Sequence, residues 1–273
     1  MDSLGVTPFV LPELTALHGV EQNPYHHRDV HGHTLEVLEQ AIALERDPAA
    51  VFGEELAQPI RDLLAEPLAD GLTRAGALRL GALLHDAAKP QTRMEFPGGR
   101  IGFPAHDIQG AALARETLTR LRTSERLRAH VAALTRHHLR LGFLVHEVPL
   151  DRRAIYRYLR DCEPVAPDVT LLSVADRLAT RGRKADEAIA RHVALARELL
   201  GEALTARAAG RPAPLVRGDE LARGRRRRPR PRIGELLEAI SEAQFAGEVT
   251  TRDEAIALAR ALLDGDADRP AAR

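Results

Sequence analysis

Aromatic residues and cysteines are scarce in this sequence. Phe, Trp and Tyr together make up 3% of its 273 residues, and Trp is absent. Aromatic and β-branched residues favour strands, whereas the Ala, Leu, Arg and Glu that dominate this chain favour helices. The single cysteine, Cys162, excludes a disulfide within the chain and fits a reducing compartment. The composition therefore predicts an all-α protein located in the cytoplasm.

Long apolar runs and an excess of either charge are also missing. Because no uninterrupted run of about 18 apolar residues occurs, the sequence predicts no membrane-spanning helix. The N-terminus lacks a basic segment followed by an apolar one, so we expect no signal peptide. Lys and Arg number 39, as do Asp and Glu, which gives a formal net charge of zero. Contact with nucleic acid would therefore depend on local basic patches.

A His-Asp pair stands at the end of an apolar run and is followed by a Lys and a Pro. On a helix, Lys89 shares a face with His85, four positions earlier, and neighbours Asp86, three positions earlier. Pro90 disfavours helical geometry at the residue before it, so we predict that the helix ends at Lys89. Imidazole and carboxylate groups bind divalent metals, and an ammonium group suits a phosphate. A His–Asp hydrogen bond beside a solvated Lys is the alternative interpretation.

Further His and Asp residues belong to other parts of the predicted structure. His33 lies early on an amphipathic helix, so it is a candidate ligand. Three neighbouring histidines, His26, His27 and His31, are interpreted as loop or capping residues. Asp176 interrupts a strongly apolar helix, where a carboxylate is unfavourable unless a metal or a basic partner neutralises it. A metal site and a salt bridge to an Arg therefore both stay open for this residue.

Hydrophobic periodicity predicts a series of helices separated by Pro- and Gly-rich loops. The predicted helices span about 54–65, 72–89, 125–139, 184–207, 233–246 and 251–263, with others starting near His106, Asp151 and Asp168. The loop at 90–105 contains Pro97-Gly98-Gly99 between apolar residues, which permits a short hairpin. We assign residues 1–208 to one domain, residues 209–232 to an Arg/Pro-rich linker, and residues 233–273 to a C-terminal helical segment and tail.

The order of the candidate residues, His33, then His85-Asp86, then Asp176, resembles the HD superfamily of metal-dependent phosphohydrolases. Additional motifs resemble the HD body of bacterial tRNA nucleotidyltransferases and their poly(A) polymerase relatives. These motifs are Asn23-Pro24-Tyr25-His26-His27, Gly32-His33-Thr34, Lys89-Pro90, Ala175-Asp176-Arg177, Leu215-Val216-Arg217-Gly218-Asp219 and Glu242-Ala243-Gln244. The resemblance extends from about residue 10 to about residue 263.

The resemblance implies a helical bundle of the HD-domain type with a small C-terminal helical extension. It also implies a divalent metal held by His33, His85, Asp86 and Asp176, with His106 and His138 as ligands of a second metal or contacts to substrate. Mixed imidazole and carboxylate ligands suit manganese, nickel, cobalt, iron or magnesium without selecting among them. A structural zinc site is not expected, because the sequence has no cluster of cysteines.

The same resemblance implies a phosphohydrolase acting on nucleotides or RNA ends, with 2′,3′-cyclic phosphodiesters and phosphomonoesters as substrate classes. Its catalytic residues would be Asp86, which orients or deprotonates water, Lys89, which stabilises charge on the phosphoryl oxygens, and His106 or His138, which protonates the leaving oxygen. Arg28 and Arg177 would contact the nucleotide or RNA substrate.

A second interpretation is a non-catalytic body that binds tRNA or another RNA beside a separately encoded nucleotidyltransferase. The family's nucleotide-adding head carries a Gly-Ser loop and paired carboxylates on strands. No such pattern is found in this sequence, so we do not expect it to add nucleotides by itself. The basic run 223–232, with Arg225, Arg226, Arg227 and Arg228, would bind RNA phosphates or form a solvated loop. A homodimer is compatible with either interpretation.

Overall fold

Helices make up most of the computed structural model, which describes residues 4–23, 25–182, 185–210, 212–223 and 231–265. Up to residue 120 they are α1 (Thr7–Val10), α2 (Pro12–Thr15), α3 (Val30–Arg46), α4 (Ala49–Phe52), α5 (Glu54–Ala65), α6 (Arg74–Leu84), α7 (Lys89–Thr92) and α8 (His106–Arg120). Beyond it they are α9 (Glu125–His137), α10 (Arg140–Leu144), α11 (Arg152–Asp161), α12 (Ala166–Ala179), α13 (Ala185–Ala209), α14 (Gly218–Arg223), α15 (Pro231–Ala246) and α16 (Arg252–Gly265). The predicted all-α class is therefore confirmed. Within the described ranges, no helix combines the length and apolar character that crossing a bilayer requires.

Two short antiparallel hairpins contain the strands found in the described residues. β1 (Pro67–Ala69) pairs with β2 (Leu72–Thr73), and β3 (Met94–Phe96) pairs with β4 (Arg100–Gly102). The second hairpin confirms the one predicted at 90–105, and Gly98 and Gly99 supply the positive φ angles of its turn. The first hairpin was not predicted, because strands of three and two residues are too short to show an alternating pattern.

One compact unit comprises Met1–Val148 and Cys162–Thr205. Within it, α12 packs against α3, α6 and α9, and α8 packs against α9. Five apolar side chains of α12 are fully buried; they are Val169, Leu171, Leu172, Val174 and Ala175. A helix buried on every side is apolar all round, which explains its continuous hydrophobic pattern. This packing holds Asp176 of α12 next to the two helices that carry His33 and lead to His85.

The other unit comprises Pro149–Asp161 and Ala206–Arg273. α15 packs against α11, α14 and α16. The buried core of this unit consists of Val216, Leu236, Ile240, Ala243, Val249, Ala255, Ala259 and Leu263. Arg153 and Arg157 of α11 form ion pairs with Glu248 and Glu242 respectively. These contacts group α11 with the C-terminal helices, although its residues fall within the range 1–208 that the sequence assigned to one domain. The domain boundaries at 208 and 232 stay predictions.

Side chains cap the N-termini of α3, which carries His33, and of α9, which ends next to His138. At the start of α3, Asp29 Oδ1 accepts a hydrogen bond from the backbone N–H of Gly32 at 2.8 Å. At the start of α9, Ser124 Oγ accepts from the N–H of Leu127 at 3.3 Å, as the sequence predicts. Each cap satisfies a backbone donor that the helix itself leaves unpaired, and so fixes where the helix begins.

The helix before the His-Asp pair ends earlier than predicted. α6 stops one residue before His85, which is its C-cap, and the chain turns through residues 86–88 before α7 begins at Lys89. The prediction that this helix runs to Lys89 was therefore wrong. Pro90 lies in the first turn of α7, where its missing N–H is not needed. The turn nevertheless keeps Lys89 Nζ 2.7 Å from Asp86 Oδ2.

Candidate metal centre

A first group of potential metal ligands comes from three helices of the first unit. His33 lies in the first turn of α3, His85 follows α6, and Asp176 lies near the end of α12. Each offers one ligand atom, and these atoms lie within 4.8 Å of one another. His33 Nε2 is 3.0 Å from Asp176 Oδ1. Both histidines are buried, whereas the Asp176 side chain is 25% exposed, so solvent reaches the group at Asp176.

A second group consists of Asp86, His106 and His138. His106 begins α8 and His138 is the C-cap of α9, two helices that pack together. Asp86 Oδ1 lies 3.4 Å from His106 Nε2 and 3.9 Å from His138 Nε2. The two Nε2 atoms are 3.3 Å apart. Three ligand atoms from separate elements therefore converge on one buried point.

Asp86 lies between the two groups and directs one oxygen toward each. Its Oδ1 faces His106 and His138, whereas its Oδ2 lies 3.2 Å from His85 Nε2 and 3.9 Å from His33 Nε2. A carboxylate in this position can ligate one cation or bridge two. The arrangement therefore brings together all six residues for which the sequence suggested metal or second-metal contacts.

Backbone carbonyls fix the tautomers of three of these histidines. A carbonyl oxygen can only accept, so an Nδ1 within hydrogen-bond distance of it must carry a proton, and in a neutral ring Nε2 then presents a lone pair. The Nδ1–O distances are 2.8 Å from His85 to Ala82, 2.7 Å from His106 to Phe103 and 2.7 Å from His138 to Thr135. Such contacts orient imidazoles as metal ligands, and each Nε2 here faces into the cluster.

The protein's own groups leave several of these ligand atoms unsatisfied. Among the described residues, His85 Nε2 and both ring nitrogens of His33 are buried and make no well-aligned hydrogen bond, although carboxylate oxygens lie 3.2 Å from His85 Nε2 and 3.0 Å from His33 Nε2. Nε2 of His106 and Nε2 of His138 face each other at 3.3 Å, and when both rings are neutral these atoms are two acceptors, which repel. Buried polar atoms normally have partners, so this many orphans at one place calls for a ligand. Nitrogen and carboxylate donors together fit a divalent cation such as manganese, iron, cobalt or nickel.

Charges within the cluster favour the forms that bind metal. Burial opposes ionisation of Asp86, but His85 and Lys89 hold its pKa well below its usual range. Burial likewise opposes ionisation of Asp176, yet the imidazole of His33, whose Nε2 lies 3.0 Å from Asp176 Oδ1, leaves the pKa of Asp176 lowered. Burial lowers the pKa of His138 to about 4, and neighbouring His85 adds to the effect. The carboxylates are therefore charged and His138 is neutral near pH 7.

His85 is the exception among these groups, because its pKa is raised. Burial favours its neutral form, but the adjacent Asp86 carboxylate outweighs burial and favours the protonated ring. A cation at this site would take over the role of that proton, because both neutralise the same carboxylate. Protons and metal are therefore expected to compete for His85.

Lys89 lies beside the cluster and is almost completely buried. Its Nζ donates to Asp86 Oδ2 at 2.7 Å and to Gln22 Oε1 at 2.6 Å. It also lies 5.1 Å from the centre of the Phe103 ring. The ammonium thus keeps the Asp86 carboxylate charged and places a fixed positive charge beside the ligand atoms.

Arg28 and Arg177, which the sequence predicts to contact substrate, are more exposed than the buried His and Asp ligands. Arg28 donates from Nε to Glu36 Oε1 at 2.6 Å and is largely exposed. Arg177 follows Asp176 and is partly exposed, and its charge acts on the buried His192. Their roles stay predictions. Arg225, Arg226, Arg227 and Arg228 lie outside the described residues.

Sequence reasoning missed two residues at the edge of the site. Gln22 accepts a hydrogen bond from Lys89, 67 positions away in the chain. The His26 ring meets the His33 ring edge-on, with centroids 4.9 Å apart. Burial, reinforced by Lys89, lowers the pKa of His26 to about 4. His26 does lie in a loop, as interpreted, and its only signal of proximity was the motif Asn23-Pro24-Tyr25-His26-His27.

A separate buried cluster in the same unit was also missed. Arg74 Nε donates to Asp168 Oδ1 at 3.1 Å, and Arg74 Nη2 donates to Asp168 Oδ2. His130 Nε2 lies 3.5 Å from Asp168 Oδ1. Burial opposes ionisation of Asp168, but His130 and Arg74 lower its pKa. The sequence interpreted Asp168 only as the start of a helix, because partners 38 and 94 positions away leave no local pattern.

Comparison with known proteins places this geometry in a family context. A profile of the HD domain family matches residues 30–181, which include all six ligand candidates. The A-adding tRNA nucleotidyltransferase of Deinococcus radiodurans is 34% identical over 256 residues, covering 93% of this chain and 51% of that protein. The CC-adding tRNA nucleotidyltransferase of Thermus thermophilus is 33% identical over 258 residues, covering 93% of this chain and 50% of that protein. The chain spans about half the length of these curated relatives.

Proposed function

Because this chain belongs to the HD domain family, we propose that it is a metal-dependent phosphohydrolase that acts on phosphoesters of nucleotides or RNA ends. The observation that carries the proposal is the convergence of imidazole nitrogens on both oxygens of the buried Asp86. The substrates we propose are 2′,3′-cyclic phosphodiesters and phosphomonoesters. The names of the tRNA nucleotidyltransferase relatives support a nucleotide or RNA end, because those proteins act at RNA.

The residues that would hold the cation follow from the two groups. His33, His85 and Asp176 would hold one divalent ion, with Asp86 completing its ligands. His106 and His138 would hold a second ion from the other side of Asp86. A bound divalent ion supplies a Lewis acid that polarises a phosphoryl oxygen and makes water a stronger acid.

The chain's own groups would do the remaining work. The Asp86 carboxylate accepts a hydrogen bond from the attacking water and so orients it. Lys89 stabilises the negative charge that develops on the phosphoryl oxygens, because its ammonium is already fixed and largely desolvated. If only the first group holds a cation, the Nε2 lone pair of His106 or His138 would accept the proton that the attacking water releases and pass it to the leaving oxygen. If both groups are loaded, these two histidines are ligands and solvent supplies that proton.

Replacing Asp86 with Ala tests the proposal. Wild type and Asp86→Ala are assayed with 2′,3′-cyclic AMP and a panel of phosphomonoesters in the presence of Mn²⁺, Ni²⁺, Co²⁺, Fe²⁺ or Mg²⁺. We expect the variant to lose more than the roughly 10–100-fold seen when a residue that merely supports a ligand is removed. Asp62→Ala, which removes an exposed carboxylate on α5 bonded to Gln58, is the matched control and should keep full activity. Undiminished turnover by Asp86→Ala would refute the mechanism.

A second candidate function is a non-catalytic RNA-binding body. It is favoured by the two relatives, whose names concern tRNA and whose similarity covers 93% of this chain. Such a body would bind tRNA and act beside a separately encoded nucleotidyltransferase, with Arg225, Arg226, Arg227 and Arg228 neutralising RNA phosphates. Because each neutralised phosphate releases counterions, binding should weaken steeply with salt.

Replacing the four arginines with Gln separates this candidate from the hydrolase. If they bind RNA, the slope of log affinity against log salt falls by about 0.7 for each phosphate that the variant no longer neutralises. The replacement should leave phosphoester hydrolysis intact, since the arginines are not among the ligands. A protein that binds RNA through this run but hydrolyses no phosphoester would favour the second candidate.

A further inference from the structure

We propose that Gln22 is a further substrate-binding residue, which donates its side-chain N–H to a non-bridging oxygen of a phosphoryl group held beside Lys89. The inference rests on the proposed function and deepens it, because it assigns the oxyanion contact to an amide and an ammonium acting together. Gln22 precedes α3 and lies on no regular element. It belongs to neither group of metal ligands.

The orientation of the Gln22 amide is set by Lys89. An ammonium group has donors and no acceptor, so the atom 2.6 Å from Lys89 Nζ must be the amide oxygen. The amide nitrogen occupies the other branch of the same carbon. Rotating the amide by half a turn would place two donors against each other, which is unfavourable. The nitrogen is therefore held as a fixed donor next to the ammonium.

The Gln22 nitrogen has no acceptor in the part of the chain that the structure describes. Among the described residues, Nε2 is buried and makes no hydrogen bond. A buried donor without an acceptor is destabilising, and such atoms in a native structure call for an explanation. An oxygen of a bound ligand would satisfy this donor, and a negatively charged oxygen would satisfy it best.

Lys89 can contribute a second donor to the same oxygen or to one next to it. Its ammonium has three N–H groups, and in the described structure two acceptors engage it, Asp86 Oδ2 and Gln22 Oε1. The nearby Phe103 ring offers only its π face, at 5.1 Å from the ring centre. A third N–H therefore stays available beside the Gln22 amide. Two adjacent donors, one of them charged, suit an oxyanion better than a neutral group.

The loop that carries Gln22 is fixed at both of its ends. At its start, Asp29 Oδ2 accepts from the N–H of Gly19 at 2.8 Å, and the N–H of Val30 donates to Val20 O at 3.0 Å. The same Asp29 caps α3, so the loop and the His33 helix share one anchor. A donor on such a loop loses little freedom on binding a ligand, which raises the affinity it contributes.

The middle of the loop is tied to the segment after α12. The N–H of Gly182 donates to Tyr25 O at 2.8 Å. A Cβ at position 182 would lie 2.1 Å from that same oxygen, so only glycine permits the approach. Within the loop, His26 Nδ1 lies 3.0 Å from Asn23 Oδ1. Gln22 is therefore positioned by contacts on either side of it in the chain.

Titration with inorganic phosphate tests the assignment. Full-length wild type, Gln22→Met and Gln22→Glu are titrated calorimetrically with and without Mn²⁺, and thermal unfolding verifies that each protein is folded. Methionine removes both polar atoms at nearly constant volume. Glutamate keeps an acceptor for Lys89 but replaces the donor with a negative charge. Gln58→Met, which removes an exposed amide bonded to Asp62 on α5, is the matched control.

We expect Gln22→Met to raise the Kd for phosphate about ten-fold or more, as loss of a hydrogen bond to a charged group does. Gln22→Glu should weaken binding further, and Gln58→Met should bind as wild type does. If Gln22→Met does not fold, Gln22→Glu decides, because its acceptor still satisfies Lys89.

Equal phosphate affinity in wild type and the Gln22 variants would overturn the inference, as would the absence of phosphate binding by wild type in both conditions. Failure of the proposed function is a separate result. A wild type that hydrolyses phosphoesters while Gln22→Met binds phosphate unchanged overturns the role of Gln22 alone. A wild type that binds phosphate through Gln22 but hydrolyses nothing overturns the hydrolase and leaves the binding role standing.

Discussion

Two buried clusters of His and carboxylate groups lie at opposite ends of the same pair of helices. α6 begins with Arg74 and leads to His85, and α12 carries Asp168 in its first turn and Asp176 near its end. In the cluster around Asp168, both carboxylate oxygens accept hydrogen bonds from the Arg74 guanidinium, and His130 lies alongside. In the cluster around Asp86, ring nitrogens of several histidines face one another and the carboxylate, and Nε2 of His85 and both ring nitrogens of His33 make no well-aligned hydrogen bond.

The difference shows how a structural cluster and a ligand site can be told apart without a bound ligand. Burying charged groups is tolerable when each is paired and hydrogen-bonded, as Arg74 and Asp168 are. The cluster around Asp86 is buried except at Asp176, and among the described residues no group donates to Nε2 of His85 or to the ring nitrogens of His33. Within the described residues, the charges of Arg74 and Asp168 satisfy each other and His130 Nε2 is the atom left without a hydrogen bond. The cluster around Asp86 leaves both ring nitrogens of His33 and Nε2 of His85 without one, and a cation could satisfy those that face it.

The largest change in stability is expected when the ion pair of Arg74 with Asp168 is broken. Asp168→Ala removes the carboxylate that hydrogen-bonds the buried Arg74 guanidinium and leaves Glu66 Oε2 as an acidic neighbour 3.8 Å from Nη1. We expect the free energy of unfolding to fall by about 3–5 kcal/mol in denaturant titrations. The double variant Arg74→Met/Asp168→Leu removes both charges and should recover most of that loss. A loss below about 1 kcal/mol for Asp168→Ala would show that the pair is not the stabilising element that its geometry indicates.

The ligand cluster should respond to metal instead. Chelator-treated wild type is expected to gain about 2.7 kcal/mol of unfolding free energy when free Mn²⁺ reaches one hundred times its Kd. His33→Ala/Asp176→Ala, which removes two ligands, should show no such gain at the same Mn²⁺ concentration. The control is Arg74→Met/Asp168→Leu, which leaves the ligands intact and should keep the gain. An equal gain in the ligand double variant would place the stabilising cation elsewhere.

His192 is buried and belongs to neither cluster, so its titration shows how burial of a single imidazole makes stability depend on pH. Burial, reinforced by Arg177, lowers the pKa of His192 to about 4, and Asp176 opposes this shift only in part. Its Nε2 lies 3.1 Å from Ser173 Oγ. Between about pH 6.5, the unfolded pKa, and about pH 4, the unfolded chain binds a proton that the folded chain does not. Stability contributed by neutral His192 is therefore lost as the pH falls through this window.

His192→Gln should flatten the pH dependence of stability in that window. We expect the slope of unfolding free energy against pH to decrease by up to about 1.4 kcal/mol per pH unit, which corresponds to one proton. Denaturant unfolding of the metal-free protein at several values between pH 7 and pH 5 measures the slope. An unchanged slope would mean that folding does not lower the pKa of His192.

The smallest effect is expected from an exposed pair on the same helix as Arg74. Arg79 of α6 donates to Glu45 Oε2 through Nε at 3.1 Å and through Nη2 at 2.6 Å, but both side chains are open to solvent. A double-mutant cycle with Arg79→Ala and Glu45→Ala should give a coupling of about 0.2–1 kcal/mol. A coupling as large as that of Arg74 with Asp168 would mean that burial does not explain the contrast.

Much of the fold could be predicted from the sequence because it depends on local signals. The helix at Glu54–Ala65, the cap Ser124 and the hairpin around Gly98 and Gly99 all follow from residues close in the chain. The end of α6 could not be predicted in the same way. Pro90 signals a break but is compatible with the start of a new helix, and the structure uses it so.

In the candidate site too, features that depend on local sequence could be predicted, and contacts between residues distant in the chain could not. The order of His33, His85-Asp86 and Asp176 indicated a ligand set through its resemblance to a family. What completes the site comes from contacts that no periodicity encodes, such as Gln22 with Lys89. The carbonyl contacts that set the histidine tautomers are local, each three residues back, but depend on where a helix begins or ends.

The central claim is that one cation site, or two adjacent ones, lies where His33, His85, Asp86 and Asp176 converge. Anomalous X-ray scattering at the manganese edge, from crystals grown with Mn²⁺, measures the position of the cation directly. We expect a peak within ligand distance of His33 Nε2, His85 Nε2 and a carboxylate oxygen, with a second peak beside His106 and His138 if both groups are loaded. A manganese peak elsewhere, or none at this cluster under saturating Mn²⁺, would contradict the claim.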